Sequence, residues 1–298
     1  LGQNAAEYCA PNLVYDKYLR EAGLLGEDEV NPKTVSFEND LPMKIANALE
    51  PYGIKVMLYL PSNVPHSAHW NAGDYAITEK ALKGQRGSNG PNSQEAKKIL
   101  CEMVEWWSLH YGDKIAGWWF DGMYPGGTLE SQNDMSLEYN VSTLANAAKA
   151  GNPYNIVSFN QGTSISGAFG KNTEYHDYTA GECNDFNQFP VDGRWAQGTD
   201  DCQNFVFGCL GKGGWNWGAA GTRFDNAYVE QQMRTAIDKQ YVMQLDVKVN
   251  RYASVDPEQL AQLEAVKESI WGEEEPVSKN TLEYFLNRAK EHVANGDV

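Results

Sequence analysis

Two carboxylates, Asp121 and Glu182, are the residues of this 298-residue sequence best suited to do chemistry. Asp121 comes at the end of the run WWFDG, in which three aromatic residues lead into an acid and a glycine. Glu182 ends the segment EYHDYTAGE, which passes into a loop rich in Asn, Asp and Gln. A pair of carboxylates can cleave a glycosidic bond when one acts as nucleophile and the other as acid and then base. We therefore take this pair as the candidate catalytic residues.

Each of these acids also has an ordinary interpretation. An Asp-Gly pair is a common turn signal after a strand, and Glu182 could be a solvated loop acid. Asp177 is a rival for the second carboxylate. His176, beside Asp177, could be an oriented base, but no nucleophile motif such as G-x-S-x-G accompanies it.

Aromatic and polar side chains near the expected strand ends are candidate substrate-binding residues, because flat rings stack on sugar faces and amides or imidazoles bind hydroxyl groups. The alternatives are loop anchoring, a covered core edge and a helix cap. The candidates are His66, His69, Trp70, Trp119, Asn160, Trp215 and Trp217.

His66 and His69 also resemble a metal pair at first sight. Their i, i+3 spacing would suit a helix, but Pro61 and Pro65 make this segment a loop, and no third ligand has recognisable spacing. We predict neither a metal nor a cofactor.

The charge balance narrows the class of partner. With 24 Lys and Arg against 40 Asp and Glu, the net charge is −16, which disfavours nucleic acid and anionic membranes as partners. No stretch approaches the roughly 20 apolar residues of a membrane span. The 9 Trp and 16 Tyr residues, on an acidic chain, favour a glycan ligand.

The elements that would position these residues follow a β/α alternation, which is typical of parallel α/β folds. Neither G-x-G-x-x-G nor a Walker sequence occurs, so a (β/α)8 barrel, with its site at the carboxyl ends of the strands, is favoured over a doubly wound sheet. Only six of the eight strands are legible, so the first two are expected to be missing or to lie upstream. The predicted strands are 54–60, 115–121, 155–160, 174–179, 204–210 and 241–249.

The predicted helices of the barrel include 40–52, 93–111, 134–150, 225–239 and 257–271. We expect the barrel domain to span residues 1–272. An acidic linker and one amphipathic helix are expected in 273–298.

Several motifs together resemble the catalytic barrel of the α-L-fucosidases of glycoside hydrolase family 29. They are GIKVMLYLPS, a helix ending WSLHYG, the WWFDG run, and VKVNRYASVDPEQLAQLEAVKESI. The resemblance implies a retaining exo-glycosidase whose nucleophile is Asp121, whereas the assignment of Glu182 as acid/base depends on its position in a later, variable loop. The early His-rich segment with which that family holds fucose has no counterpart here.

The sequence therefore predicts an α-L-fucosidase-like enzyme that acts on oligosaccharides or glycans and is secreted or extracellular, either alone or as one module of a larger protein. The alternative is a non-catalytic carbohydrate-binding protein on a degenerate barrel. The five cysteines show no C-x-x-C spacing, and both a Cys183–Cys202 disulfide and buried thiols stay open.

Overall fold

The computed structural model describes residues 10–31, 40–62, 77–83, 93–124, 132–186, 191–213, 218–250, 252 and 254–272. The chain divides into two compact units. The first comprises Leu1–Gly208 and Lys239–Leu245, and the second comprises Cys209–Asp238 and Asp246–Val298.

The described part of the chain contains five strands in two sheets. The first sheet is parallel, in the order β1-β2-β3, and the second pairs β4 with β5. Their bounds are β1 Val56–Pro61, β2 Ile115–Asp121, β3 Ile156–Phe159, β4 Phe205–Cys209 and β5 Val242–Asp246.

Parallel register places the carboxyl ends of the first three strands side by side. Pro61 of β1 lies opposite Asp121 of β2, and Phe120 lies opposite Phe159, the last residue of β3. Asn160 follows directly and donates its backbone N–H to the carbonyl of Phe120 at 2.7 Å. The strand ends therefore bring Asp121 and Asn160 to the same edge of the sheet.

The predicted strand 174–179 is replaced by an extended segment that lies slightly later in the chain. Thr179 donates to the carbonyl of Gln203, and Cys183 donates to that of Phe207. Only isolated bridges form along it, of which one joins Glu182 to Phe207 in parallel. Gly181, at a φ of 71°, interrupts the regular extended backbone between these bonds, which explains the absence of a continuous strand among the described residues here.

Seven α-helices occur in the described residues, and several begin at side-chain caps. Asn140 forms a capping box with Thr143, so the helix predicted at 134–150 begins only at Val141. The helices are α1 Leu13–Glu21, α2 Leu41–Leu49, α3 Gln94–Tyr111, α4 Val141–Lys149, α5 Ile165–Phe169, α6 Asn226–Lys239 and α7 Pro257–Trp271.

Helix α1 was not predicted, although its signals are present in the sequence. Asn12 caps it by accepting a hydrogen bond from the N–H of Tyr15. Tyr15 and Leu19, one turn apart, are its buried residues. A cap followed by a short i, i+4 apolar pair is too brief a pattern to stand out.

The side chains of β2 alternate between two apolar clusters, as strand periodicity predicts. Trp118 and Phe120 are buried in the large cluster that also contains residues of α3 and α4. Trp119, between them, packs on the other face with Tyr178 and Phe205. Trp119 therefore lies on the opposite face of β2 from Trp118 and Phe120.

The second unit contains helix α7 and helix α6 up to Asp238. Its helix α7 is capped by Asp256, which accepts from the N–H groups of Glu258 and Gln259. The buried amide of Gln259 donates to the carbonyls of Ala219 and Gly221, both at 2.8 Å. These bonds fix the loop before α6 against α7.

The structure shows a mixed α/β fold with parallel strands, and a closed eight-stranded barrel stays a prediction. The same holds for the domain boundary at residue 272, and the helix predicted within 273–298 lies outside the described residues. Among the described helices, none combines the length and apolar character that a bilayer span requires.

Candidate active site

The carboxylate of Asp121 accepts four hydrogen bonds at the end of β2. Its Oδ1 accepts from the backbone N–H of Gly122 at 2.8 Å, the amide of Asn160 at 2.8 Å and the hydroxyl of Tyr124 at 3.2 Å. Its Oδ2 accepts from the hydroxyl of Tyr59 at 2.6 Å. Donors of this number and type fix the orientation of the carboxylate.

The amide of Asn160 joins the two candidate carboxylates. Its Nδ2 donates to Asp121 Oδ1 and also to Glu182 Oε2, the second bond measuring 2.5 Å. Its Oδ1 accepts from the N–H of Gly162 at 3.0 Å, and this bond fixes which end of the amide faces the acids. The side chain of Asn160 is fully buried.

The shared donor sets the separation of the two acids. Asp121 Oδ1 and Glu182 Oε2 lie at most 5.3 Å apart, which is the sum of their 2.8 Å and 2.5 Å bonds to the same nitrogen. Retaining glycosidases hold their two carboxyl groups about 5 to 5.5 Å apart, and inverting ones about 6.5 to 9.5 Å. This upper bound lies below the start of the inverting range and agrees with the closer, retaining arrangement.

Glu182 lies in a different environment from Asp121. It is 8% exposed, and burial together with the charge of Asp121 raises its pKa to about 7, against the opposing effect of the Asn160 hydrogen bond. Its second oxygen, Oε1, accepts no hydrogen bond from the described residues. With this pKa the carboxyl group is protonated in about half of the molecules at pH 7, and this form can donate a proton.

Two tyrosines complete the cluster around Asp121. Burial, followed by the negative charge of Asp121, raises the pKa of both Tyr59 and Tyr124, so both remain neutral hydroxyl donors. The ring of Tyr59 stacks on Trp119 with centroids 5.4 Å apart. The indole of Trp119 in turn donates to the carbonyl of Ala180 at 2.9 Å, beside Glu182.

The sequence-predicted site residues fall into two groups. The structure brings together Asp121, Glu182, Asn160 and Trp119. His66, His69, Trp70, Trp215 and Trp217 lie outside the described residues, and their role as substrate-binding residues stays a prediction.

The contacts of Trp119 and Asn160 differ from those expected of sugar-binding residues. Trp119 is 8% exposed and its ring stacks on the ring of Tyr59, so Trp119 supports the Tyr59 side chain. Asn160 is occupied at both ends of its amide by protein groups. Both residues therefore support the two carboxylates and Tyr59 from inside the protein.

The rival acid Asp177 is engaged elsewhere. Its Oδ2 accepts from Lys149 Nζ and from the N–H of Val157, both at 2.8 Å. Neither ring nitrogen of the neighbouring His176 has a hydrogen-bond partner among the described residues, and the imidazole stacks on Phe159. These two residues do not form an acid-base pair.

Sequence reasoning missed Tyr59 and Tyr124. A signal existed for Tyr59, which lies two residues before the end of β1 and so shares a strand face with the residue that closes it. Tyr124 follows Asp121 by three residues in the turn, where periodicity carries no information.

Among the described residues, neither a disulfide nor a metal-binding group contributes to the cluster around Asp121. Cys183 and Cys202 are separate buried thiols in the structure, so the disulfide alternative is wrong. Within the described ranges, no group of three His, Cys, Asp or Glu side chains is placed to hold a metal ion.

Comparison with known proteins gives similarity at the level of structure. No family model matches the sequence, and no curated protein matches it. Among solved structures, the endo-fucoidan hydrolase MfFcnA4 from glycoside hydrolase family 107 superposes with a TM-score of 0.65 at 17% identity, over 89% of this chain and 45% of that one.

Two further members of family 107 show the same similarity. Endo-fucoidan hydrolase MfFcnA9 gives a TM-score of 0.66 at 17% identity, over 89% of this chain and 54% of its own. Endo-fucoidan hydrolase P5AFcnA gives 0.59 at 15% identity, over 80% and 72%. The chain thus spans about half the length of the first two. At these identities the likeness establishes that the chain shares the fold of these structures.

Proposed function

We propose that this protein is a retaining glycoside hydrolase in which Asp121 is the nucleophile and Glu182 the acid/base. The observation that carries the proposal is the pair of carboxylates bound to one amide nitrogen, with nearest oxygens at most 5.3 Å apart. The different environments of the two acids support different roles for them, nucleophile for Asp121 and acid/base for Glu182. Asp121 is surrounded by donors, whereas Glu182 is buried with a pKa near 7.

In the first step, Asp121 attacks the anomeric carbon, and the bond to the leaving oxygen breaks as that oxygen takes the proton of Glu182. Asp121 Oδ2 is suited to attack because, of the described residues, only Tyr59 donates to it, whereas Oδ1 is occupied by three donors. Glu182 Oε1 is suited to deliver the proton because it has no hydrogen-bond partner in the described part of the chain.

In the second step, Glu182, now a carboxylate, removes a proton from water as the water oxygen attacks the same carbon. The bond between sugar and Asp121 breaks, the sugar leaves with its original anomeric configuration, and Glu182 regains its proton. Asn160 donates to both acids in the resting site, so it holds their geometry at the start of the cycle.

We propose a fucose-containing glycan as the substrate. The support is the shared fold with endo-fucoidan hydrolases, together with the sequence motifs that resemble α-L-fucosidases. The motifs predict release of terminal fucose, whereas the named structures are endo-acting. Free fucose and shortened oligosaccharides are easily told apart by chromatography, so the products distinguish the two modes.

The test combines stereochemistry with one variant. Proton NMR during the first minutes of hydrolysis should show a product with the anomeric configuration of the substrate, and Asp121→Asn should reduce kcat by at least about a thousandfold while leaving the folded state intact. Inverted product would overturn the retaining mechanism. Unchanged turnover in Asp121→Asn would remove Asp121 from the reaction.

The second candidate is glycan binding without turnover, and it is favoured by the unmatched His-rich segment of the family resemblance. It predicts that fucosylated glycans bind equally to wild type and Asp121→Asn and are never hydrolysed. A full screen of aryl glycosides and natural glycans with no product, together with measurable binding, would favour this alternative.

A further inference from the structure

A cleft in the first unit shares no residue with the carboxylate cluster, which consists of Asp121, Glu182, Asn160, Tyr59 and Tyr124. It has a volume of about 890 Å³ and lies between residues of α5 and the segment 191–199. Its lining is mixed, with Ser166 and Phe169 on one side and Asp192, Arg194 and Trp195 on the other. Clefts of roughly 300 to 1,000 Å³ are the size that small ligands occupy.

The segment that carries Arg194 and Trp195 is held firmly by two side chains. Asn204 Nδ2 donates to the carbonyls of Gly193 and Trp195, at 2.9 and 2.7 Å. Gln203 Nε2 donates to the carbonyl between them, that of Arg194, at 2.9 Å, as does the backbone N–H of Asn204 at 2.7 Å. Three successive carbonyls are thus fixed, so the two exposed side chains project from an ordered backbone.

Arg194 and Trp195 are in cation–π contact at this cleft. The guanidinium carbon lies 4.5 Å from the centre of the Trp195 ring, and Trp195 is 37% exposed. Arg194 Nε makes a long bond of 3.3 Å to Gln203. No carboxylate of the described residues forms an ion pair with Arg194, although the chain carries a net charge of −16.

Among the described residues that line the cleft, the acid is Asp192, and it is paired with Lys239 Nζ at 3.1 Å. The guanidinium of Arg194 is therefore a cationic donor in the cleft that no described carboxylate neutralises. A guanidinium presents several N–H donors in one plane, which suits the oxygens of a sulfate or carboxylate group. The neighbouring indole supplies a flat face on which a sugar ring can stack.

We propose that Arg194 and Trp195 form a second saccharide-binding site, separate from the catalytic cluster, for a glycan that carries sulfate or carboxylate groups. Trp195 stacks on a sugar ring and Arg194 binds the anionic substituent. A concave cleft of this size favours a chain of sugar rings over the flat surface of a partner protein. This site would keep a polymeric ligand on the enzyme irrespective of events at Asp121 and Glu182.

The test is gel affinity electrophoresis of the whole chain carrying Asp121→Asn, so that no probe is consumed. The probes are fucoidan, a sulfated polysaccharide, its chemically desulfated form, and alginate, a carboxylated one. We expect retardation by fucoidan or alginate, at least about tenfold weaker binding after Trp195→Ala, and a selective loss for the charged probes after Arg194→Gln. The affinity of Arg194→Lys, which keeps the charge but loses the planar fork, should lie between that of the parent and that of Arg194→Gln.

The matched control is Tyr154→Ala, which removes another aromatic residue, 87% exposed, from the same unit. It should bind the probes as the parent does. Hydrolysis of a small aryl glycoside by otherwise wild-type protein should not change with Trp195→Ala, so failure of this site and failure of the proposed function are distinguishable.

Three results would overturn the proposal. The first is the absence of retardation by both charged polysaccharides, and the second is equal retardation of the parent and Trp195→Ala. The third is a change of oligomeric state on Trp195→Ala in size-exclusion chromatography, which would make Trp195 a contact between protein chains.

Discussion

Asp121 and Glu182 share a single hydrogen-bond donor, the Nδ2 atom of Asn160, although they lie 61 positions apart in the sequence. The bond to Glu182 measures 2.5 Å and the bond to Asp121 2.8 Å. Because the donor is buried and its own orientation is fixed by Gly162, the two acids are held together by a rigid group.

The first prediction concerns the pH dependence set by Glu182. This group must be protonated to act as an acid, and its pKa is raised to about 7, so kcat/KM for an unactivated glycoside should be maintained below pH 7 and fall above it. Glu182→Gln should remove this alkaline limb and slow hydrolysis by about a hundredfold or more. The measurement is a pH–rate profile of both proteins.

An aryl glycoside with a good leaving group is the control for Glu182→Gln, because such a leaving group needs little protonation. Its first step should be slowed much less than that of a natural glycan. If both substrates lose activity equally, Glu182 is not the acid.

The second prediction concerns Asn160. Asn160→Ala removes one donor from each carboxylate, and a hydrogen bond to a charged group contributes about 1.5 to 3 kcal/mol, so we expect a 10- to 100-fold lower kcat/KM. Since the Asn160 bond lowers the pKa of Glu182, its loss should move the alkaline limb of the profile to higher pH. A lower rate with an unmoved limb would show a merely structural role.

The third prediction compares the two tyrosines. Tyr59→Phe removes the 2.6 Å bond to Asp121 but keeps the ring on Trp119, whereas Tyr124→Phe removes a bond of 3.2 Å. Shorter bonds to a carboxylate are the stronger ones, so Tyr59→Phe should reduce kcat/KM by about 10- to 100-fold and Tyr124→Phe by less. Steady-state kinetics of the two variants, with thermal melts to verify folding, decide the order.

The fourth prediction concerns the close contact of β2 with β3. A Cβ atom added at Gly117 would lie 2.5 Å from the carbonyl oxygen of Ile156, so Gly117→Ala should reduce the free energy of unfolding by about 1 to 3 kcal/mol. Gly193→Ala is the control, because nothing lies within 4 Å of its added Cβ. Urea denaturation of both variants measures the difference, and equal stability of the two would contradict the described strand packing.

The fifth prediction concerns the buried His176. Burial lowers its pKa to about 3 from 6.5, so the unfolded chain binds one more proton than the folded chain between these values. The contribution of His176 to stability is therefore fully present above pH 6.5 and is lost as pH falls, by at most about 1.4 kcal/mol per pH unit.

His176→Phe tests this, because phenylalanine can keep the stacking on Phe159 without the titrating nitrogens. Urea unfolding at pH 7 and pH 5 should show a smaller acid-induced loss of stability in the variant than in wild type. An identical loss in both proteins would mean that other groups control the acid sensitivity.

Local pattern in the sequence was enough for several elements. The strand predicted at 115–121 has the bounds of β2, and the helix predicted at 257–271 has those of α7, because caps and strand alternation are properties of neighbouring residues. The choice of Asp121 as a strand-end acid depended on this information alone.

Tertiary structure decided what surrounds that acid. Tyr59, Asn160 and Glu182 come from three other segments, and only the parallel register of β1, β2 and β3 and the irregular pairing of Glu182 with Phe207 bring them to Asp121. The roles of Trp119 and Asn160 as internal supports also appear only there. A sequence shows which residues can donate, accept or stack, but the partners of a buried polar group are set by contacts between segments distant in the chain, which no local pattern specifies.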